Sequence, residues 1–243
     1  MQSQQFPLLL LIGRPAAGKS EIIHYLSDLP SDVRRAKLHI GPFREIDDFP
    51  MLWAWFEEDH ILSQMGRSRL HTDDQGYFKF PYLWHLLIRR IELEYWKVLR
   101  DDPDFDKEST VILEFSRGLE HGGYAEALKQ FTPEVLGRSA VLYIDVSYEE
   151  SLRKNRRRFN PDKPDSILEH SLPDEKLERL YRETDWTDIS AADPSYLQID
   201  GVAVPYVVME NSDDVTTAGG AALGKRLEAS LSLLWQRFAN RLQ

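Results

Sequence analysis

Apolar residues fall along this chain in short unbroken runs, separated by stretches whose apolar positions recur with helical spacing. Residues 6–12 form the first run, closed by Gly13, with the continuous apolar character of a strand buried on both faces of a parallel sheet. Residues 110–115, 140–146 and 204–209 repeat the pattern with β-branched and aromatic side chains, the last despite Pro205, and 36–40 is a weaker fifth candidate. Residues 20–27, 82–99, 124–131, 148–159 and 222–242 are predicted helices. Strands that alternate with helices imply parallel βαβ units joined by right-handed crossovers.

Two stretches exceed ordinary connections. Residues 49–106 hold Trp53, Trp55, Trp84 and Trp96, with a hairpin expected over 70–80 that turns at Asp74, Gln75 and Gly76; they are predicted to form an inserted helical subdomain. Residues 160–193 carry prolines and acids around a helix expected over 174–183, started by Pro173 and Asp174, and suggest a movable flap. No repeat or low-complexity tract divides the chain, and its 243 residues fit one large domain with an insertion.

Composition narrows the chemistry. Thirty Lys and Arg against forty Asp and Glu leave a net charge of -10, which disfavours broad nucleic-acid binding. The absence of cysteine removes disulfides, thiolate metal sites and thiol nucleophiles, and fits a reducing cytoplasm. The 6–12 run is too short for a signal peptide or a membrane span, so no membrane partner is expected. Neither an H-x₃-H spacing nor a G-x-S-x-G elbow is present, which argues against zinc chemistry and serine hydrolysis.

Directly after the first strand, Gly13-Arg14-Pro15-Ala16-Ala17-Gly18-Lys19-Ser20 fits G-x-x-x-x-G-K-S. Such a loop wraps phosphate oxygens with backbone N–H groups at a helix N-terminus; Lys19 reaches the outer phosphates and Ser20 offers a hydroxyl to Mg²⁺. In this the chain resembles the P-loop NTPases, and among them the P-loop kinases of nucleosides, nucleotides and small metabolites. The resemblance implies a three-layer α/β/α P-loop fold with a parallel five-stranded sheet, ATP and Mg²⁺ as cofactors, and transfer of the γ-phosphate to a small-molecule acceptor. A nucleoside or nucleotide leads as acceptor, with antibiotics, sugars and other metabolites open. It further implies that residues 49–106 bind the acceptor and that 148–193 form a lid.

Three further segments resemble family elements. Asp47-Asp48-Phe49 looks like the D-x-F segment of uridine-kinase-like enzymes, where a carboxylate takes the acceptor proton; Asp47 is the candidate base, and either Asp could equally cap the next helix. Glu114-Phe115-Ser116-Arg117 resembles the E-R-S segment of deoxynucleoside kinases, with Glu114 a metal-organising carboxylate and Arg117 catalytic, or the two a structural ion pair. Arg153 and Arg157, one helical turn apart, are similar to lid arginines that clamp the transferring phosphoryl group, though a solvated helix face has the same pattern. Asn211 stands where the family's loop meets the base, and could hydrogen-bond adenine or simply turn the chain. The Trp53 and Trp55 pair could stack an aromatic acceptor or belong to the core. A nucleotide-binding or hydrolysing regulatory module without small-molecule phosphorylation is the alternative, weakened as a GTPase switch by the lack of an N-K-x-D motif. The oligomeric state is left open, a dimer among the options.

Overall fold

A computed structural model describes residues 4–158 and 172–241. Strand β1 (Leu8–Gly13) leads through the glycine-rich turn into helix α1 (Lys19–Asp28), and α2 (Ser31–Leu38) returns to β2 (Phe43–Asp47). Helices α3 (Phe49–Gln64), α4 (Tyr82–Asp101) and α5 (Phe105–Glu108) precede β3 (Thr110–Phe115). Two short helices, α6 (Gly123–Leu128) and α7 (Pro133–Arg138), lead to β4 (Ser139–Asp145). Helices α8 (Tyr148–Arg158), α9 (Asp174–Tyr181) and α10 (Trp186–Ser190) come before β5 (Tyr196–Ile199) and β6 (Val202–Glu210), and α11 (Val215–Ala218) and α12 (Gly220–Arg241) end the chain's described part.

The strands form one sheet in the order β2-β3-β1-β4-β6-β5. Period-two alternation sends successive β1 side chains to opposite faces: Leu8, Leu10 and Ile12 enter a core covered by α4, α6, α7 and α10, while Leu9 and Leu11 enter one covered by α1, α2 and α12. A strand apolar at every position is therefore the middle of a sheet with helices on both faces. In α12, Leu223, Leu227 and Leu231 recur every four residues and are all buried, one apolar stripe laid along the sheet.

The sheet has six strands where five parallel ones were expected. Five are parallel; β5 runs antiparallel to β6 across a tight turn in which Asp200 (φ 46°) and Gly201 (φ 83°) are both left-handed. Tyr-Leu-Gln-Ile is too short and too mixed to stand out as a strand in sequence. The weak candidate at 36–40 is instead the end of α2, closed by His39 in the left-handed region (φ 54°). The true second strand is β2, an edge strand whose Arg44 and Glu45 face solvent and break the apolar run. Pro205 is accommodated because β6 joins β4 only from Tyr206 onward.

Residues 49–106 divide between two environments. The N-terminal half of α4 packs Leu83, Trp84 and Leu87 against Trp55 of α3, while Ile88, Ile91, Tyr95 and Val98 enter the main core. The expected hairpin is a short one, bridged at Thr72 and Phe78. Its base hangs on buried Asp59, whose carboxylate accepts from the Leu70 and Thr72 N–H groups at 2.6 Å each and from the Thr72 hydroxyl at 2.7 Å. Burial alone would raise this carboxyl, but these bonds and that from the His71 N–H hold it down at about 2. Asp59→Ala is expected to cost about 2–4 kcal/mol in urea unfolding at pH 7, because it orphans several buried donors at once. A depressed carboxylate stabilises only above its unfolded pKa, so the difference from wild type should shrink as pH falls from about 4 toward 2. An equal loss at both pH values would contradict the ionised knot.

Candidate active site

The Gly13–Ser20 turn is held in shape from four directions. Ala16 (φ 56°) and Gly18 (φ 108°) are both left-handed, a backbone that turns successive N–H groups inward as an anion cradle. Gly18 is required twice over: its φ disfavours a side chain, and a Cβ there would strike Thr216 Oγ1 and lie 2.8 Å from Asn211 Nδ2. Asn211 is buried, donates to Ala17 O and Thr216 Oγ1 at 2.8 Å each, and accepts from Thr216 N–H at 3.2 Å. Its amide is thus committed to bracing the loop, in place of the adenine contact open to it in sequence. Arg14 donates to the Val146, Tyr181 and Arg182 carbonyls at 2.9, 3.3 and 3.1 Å, tying the loop to the end of β4 and to α9. From α8, the Ser151 hydroxyl donates to Pro15 O at 2.7 Å. Ser20 stays exposed at the start of α1.

Lys19 is 5% exposed and lies across its own loop. Its Nζ sits 3.8 Å from Glu114 Oε1 and donates to the Ser116 hydroxyl at 2.9 Å and the Arg14 carbonyl at 3.2 Å. Burial lowers the Lys19 pKa, against the pull of Glu114 and Asp47. Asp47 and Glu114 are register partners on β2 and β3, so the parallel ladder sets two carboxylates side by side at the carboxyl end of the sheet. Burial, reinforced by Glu114 and Asp48, pushes Asp47 up to about 8, and burial raises Glu114 to about 7 against the attraction of Lys19. Asp47 Oδ1 also accepts from Phe49 N–H at 3.0 Å, so it caps the start of α3 with one oxygen.

Arg117 is not the partner of Glu114. It is 1% exposed and pairs with Asp48 Oδ2 at 2.7 Å, with its guanidinium carbon 5.2 Å from the Trp84 ring and 5.5 Å from that of Phe115. Neighbouring acids thereby acquire different surroundings: Asp48 pairs with Arg117, while Asp47 stands beside Glu114, which meets Lys19.

These groups open on a cleft of about 1000 Å³. Its far wall carries Phe49, Trp53, Phe56, Phe78 and Trp84, and α9 closes one side. There Lys176 Nζ donates to Gly76 O at 3.1 Å, and the Arg179 guanidinium carbon sits 4.0 Å from the Tyr77 ring centroid, so the hairpin tip and α9 meet over the cleft. Trp55 is buried in the small α3–α4 core.

Of the α8 basic run, Arg158 lines the cleft, and its Nη2 stands 3.4 Å from Glu21 of α1. Arg153 instead makes a two-pronged pair with Glu150 and reaches Asp214 at 2.8 Å, and Arg157 is exposed; neither lines the cleft. Ser151, Asn155 and Arg158 share the face of α8 that turns to the loop and cleft, a choice that basic composition cannot reveal. Asn155 pairs both ways with the Leu172 backbone, at 2.6 and 3.0 Å. The expected end of this helix at Phe159 and the proline-rich start of the flap lie outside the described residues. His121, which no motif in the sequence singles out, also lines the cleft and stacks on Trp84 with ring centroids 3.7 Å apart.

No family model matches the chain, and no curated protein matches it. Among solved structures it is similar to a Thermus thermophilus protein at 13% identity and a TM-score of 0.45, covering 96% of this chain and 98% of that one. An unliganded sugar kinase from Janibacter sp. aligns at 16% identity and a TM-score of 0.41 over 95% and 96% of the two chains. A shikimate kinase from Acinetobacter baumannii aligns at 16% and 0.30, over 72% and 76%. Among the described residues no helix is long and apolar enough to cross a membrane.

Proposed function

We propose that this protein is an ATP-dependent phosphotransferase that moves a γ-phosphoryl group to the hydroxyl of a small molecule held in the aromatic cleft. The observation that carries this reading is the meeting, at the mouth of that cleft, of a phosphate-cradling loop, its buried Lys19 and the paired carboxylates Asp47 and Glu114. The backbone of residues 13–20 would hold the ATP phosphates. Among the described residues no three His, Cys, Asp or Glu side chains are gathered to hold a metal by themselves. Mg²⁺ would therefore rest on Ser20 and the phosphate oxygens with Glu114 nearby, a fitting set of oxygen donors; when bound it neutralises charge on the phosphates.

Asp47 is the acceptor-side base. Its raised pKa suits proton transfer near neutral pH, since a base is most effective close to the operating pH. Lys19 leaves its loop carbonyls and Ser116 for the outer phosphate oxygens. Arg117 positions the acceptor side by holding Asp48 and Trp84 in place. Arg158 lies on the cleft already, while Arg153 and Arg157 join it on closure of the 148–193 lid over the donor. Closure matters because water competes with the acceptor for the phosphoryl group.

The test is ADP formation with purified protein, Mg·ATP and a panel of alcohols, against the same mixture without acceptor. Acceptor-stimulated turnover supports a kinase; acceptor-independent hydrolysis would favour a regulatory nucleotide module. Arg158→Ala is expected to lower kcat about 100-fold and Arg157→Ala about 10-fold, each leaving ATP affinity within about threefold, because both act on charge that develops during transfer. Hydrogen exchange over residues 148–158 and 172–193 should slow most with a non-transferable ATP analogue and acceptor together. Full activity in both Arg variants would remove the lid from the mechanism.

A further inference from the structure

The carboxylates are not alone in facing Lys19. Four of the described residues lining the cleft carry hydroxyls, Ser20, Tyr77, Ser116 and Tyr181, and of these Ser116 meets the phosphate-loop lysine. Lys19 Nζ donates to Ser116 Oγ at 2.9 Å while standing 3.8 Å from Glu114 Oε1. Strand pairing brings the two together: Ile12 is the register partner of Phe115, so the residue that follows β3 falls beside the loop that follows β1. Because the lysine is the donor, the serine keeps its own hydrogen to give elsewhere. The chemistry above leaves this hydroxyl unused.

Its backbone is fixed on both sides. Phe115, buried, ends the β3 ladder, and Arg117 donates to the Ser116 carbonyl at 2.7 Å and to the Trp84 carbonyl at 3.2 Å. Gly118 lies so close to α9 that a Cβ would strike the Leu180 carbonyl, and the Leu119 N–H donates to Glu183 O at 2.8 Å. Ser116 is thus a half-buried hydroxyl presented to the cleft from a rigid turn. Two hydrogen bonds to one ammonium, each about 3 Å long, bring a phosphate oxygen bound by Lys19 to within about 6 Å of Ser116 Oγ. A nucleophile held that near a bound phosphoryl group has little orientation left to lose.

Resting on the phosphotransferase reading, we propose that without an acceptor the protein phosphorylates its own Ser116, and that the product closes the donor site. Ser116 Oγ attacks the γ-phosphorus of bound ATP. The Oγ–P bond forms, the bond from that phosphorus to its bridging oxygen breaks, ADP leaves with the electron pair, and the hydroxyl proton passes to the Asp47 carboxylate. A small-molecule alcohol in the cleft competes for the same phosphoryl group, so the reaction belongs to the acceptor-starved state. Phosphoserine brings about two negative charges and three acceptor oxygens. At position 116 it holds Lys19 by a charge-assisted bond, in the place of an ATP phosphate, and repels an incoming triphosphate.

Intact-protein mass spectrometry of the purified full chain, incubated with Mg·ATP and no acceptor, tests this. Most chains should gain the mass of one phosphoryl group, and peptide fragmentation should place it on Ser116. The rate per molecule should be the same at every protein concentration, as an intramolecular step requires. Ser116→Ala should not gain the group, and Asp47→Asn should gain it about 1000-fold more slowly, as expected for loss of the base. If the Ala variant does not fold, the fragment map of the wild-type chain decides the site. In calorimetry the phosphorylated protein should bind a non-transferable ATP analogue at least about tenfold more weakly, and phosphatase treatment should restore the affinity. No gain in mass, a phosphoryl group on another residue, a rate that rises with protein concentration, or unweakened analogue binding after phosphorylation would overturn the proposal. ADP formation on the panel of alcohols separates the two readings. Acceptor-stimulated turnover without phosphorylated Ser116 leaves the kinase standing and defeats the self-transfer, whereas phosphorylated Ser116 without turnover on any alcohol does the reverse.

Discussion

Lys19→Ala is expected to reduce Mg·ATP-dependent turnover by at least about 1000-fold and to weaken Mg·ATP binding, with the fold retained. The cradle itself survives, because Ala16, Gly18 and the Asn211 clamp hold the loop without the lysine. What is lost is the mobile cation that follows charge onto the transferring group, and removing one such preorganised charge typically costs several kcal/mol of transition-state stabilisation. The fold tolerates the change because Glu114, deprived of the Lys19 attraction that now opposes its burial, takes up a proton instead of remaining a lone buried charge. Circular dichroism should therefore match wild type at pH 7 while calorimetry with Mg·ATP shows greatly reduced heat. Unchanged affinity and turnover would remove the loop from the mechanism.

Asp47→Asn should separate activity from stability in opposite directions. Turnover with a true acceptor is expected to fall about 1000-fold, within the range for loss of a general base, with ATP affinity changed little. The ligand-free protein should become more stable at pH 8. Asp47 is raised to about 8 in the fold, so between its unfolded value near 4 and pH 8 the native state binds the extra proton, and stability declines as pH rises, by at most about 1.4 kcal/mol per pH unit. Glu114, raised to about 7, adds a decline of the same sign over a narrower window. An amide at position 47 carries no charge to desolvate, so a gain of about 3–6 °C in Tm at pH 8, shrinking toward pH 5, is the expected signature. A Tm difference independent of pH would mean that Asp47 is ionised in the empty cleft. A rate loss without any stabilisation would place the proton transfer at Asp47 but not the strain.

That exchange of stability for reactivity has a simple structural source. The β2–β3 register puts Asp47 next to Glu114, and among the described residues Lys19, with Arg158 farther off, is set against them, so burial outweighs the nearby positive charge. Arg117 brings no relief, being spent on Asp48. A divalent cation bound there would supply positive charge to the carboxylates, and ligand binding then offsets the cost of burying them.

The glycine-rich turn between β1 and α1 is legible from sequence because it is local: eight consecutive residues, a preceding apolar strand and a following helix define it. The central strands were legible for a related reason, since a segment covered on both faces must be apolar at every position, whatever covers it. Edge strands were not. β2 carries exposed Arg44 and Glu45 between Phe43 and Ile46, and β5 is four residues long, so their strand character comes from neighbours distant in the chain. The same division runs through the site. That Asp47, Asp48, Glu114 and Arg117 belong to it could be read from their place after strands; which acid meets Lys19 and which meets Arg117 is set by the β2–β3 register and by the packing of Arg117 on Trp84. Among five basic residues on α8, composition makes 153 and 157 as good as 158, and contacts distant in the chain, Ser151 with Pro15, Asn155 with Leu172 and Lys154 with Asp214, decide which face turns to the cleft. Sequence by itself determined the Gly13–Ser20 turn between strand and helix and the layered sheet that presents it, because backbone conformation and burial pattern are written in neighbouring residues. Tertiary structure alone decided the charge pairing, which α8 arginine lines the cleft and the stacking of His121 on Trp84, because each depends on side chains brought together from across the chain.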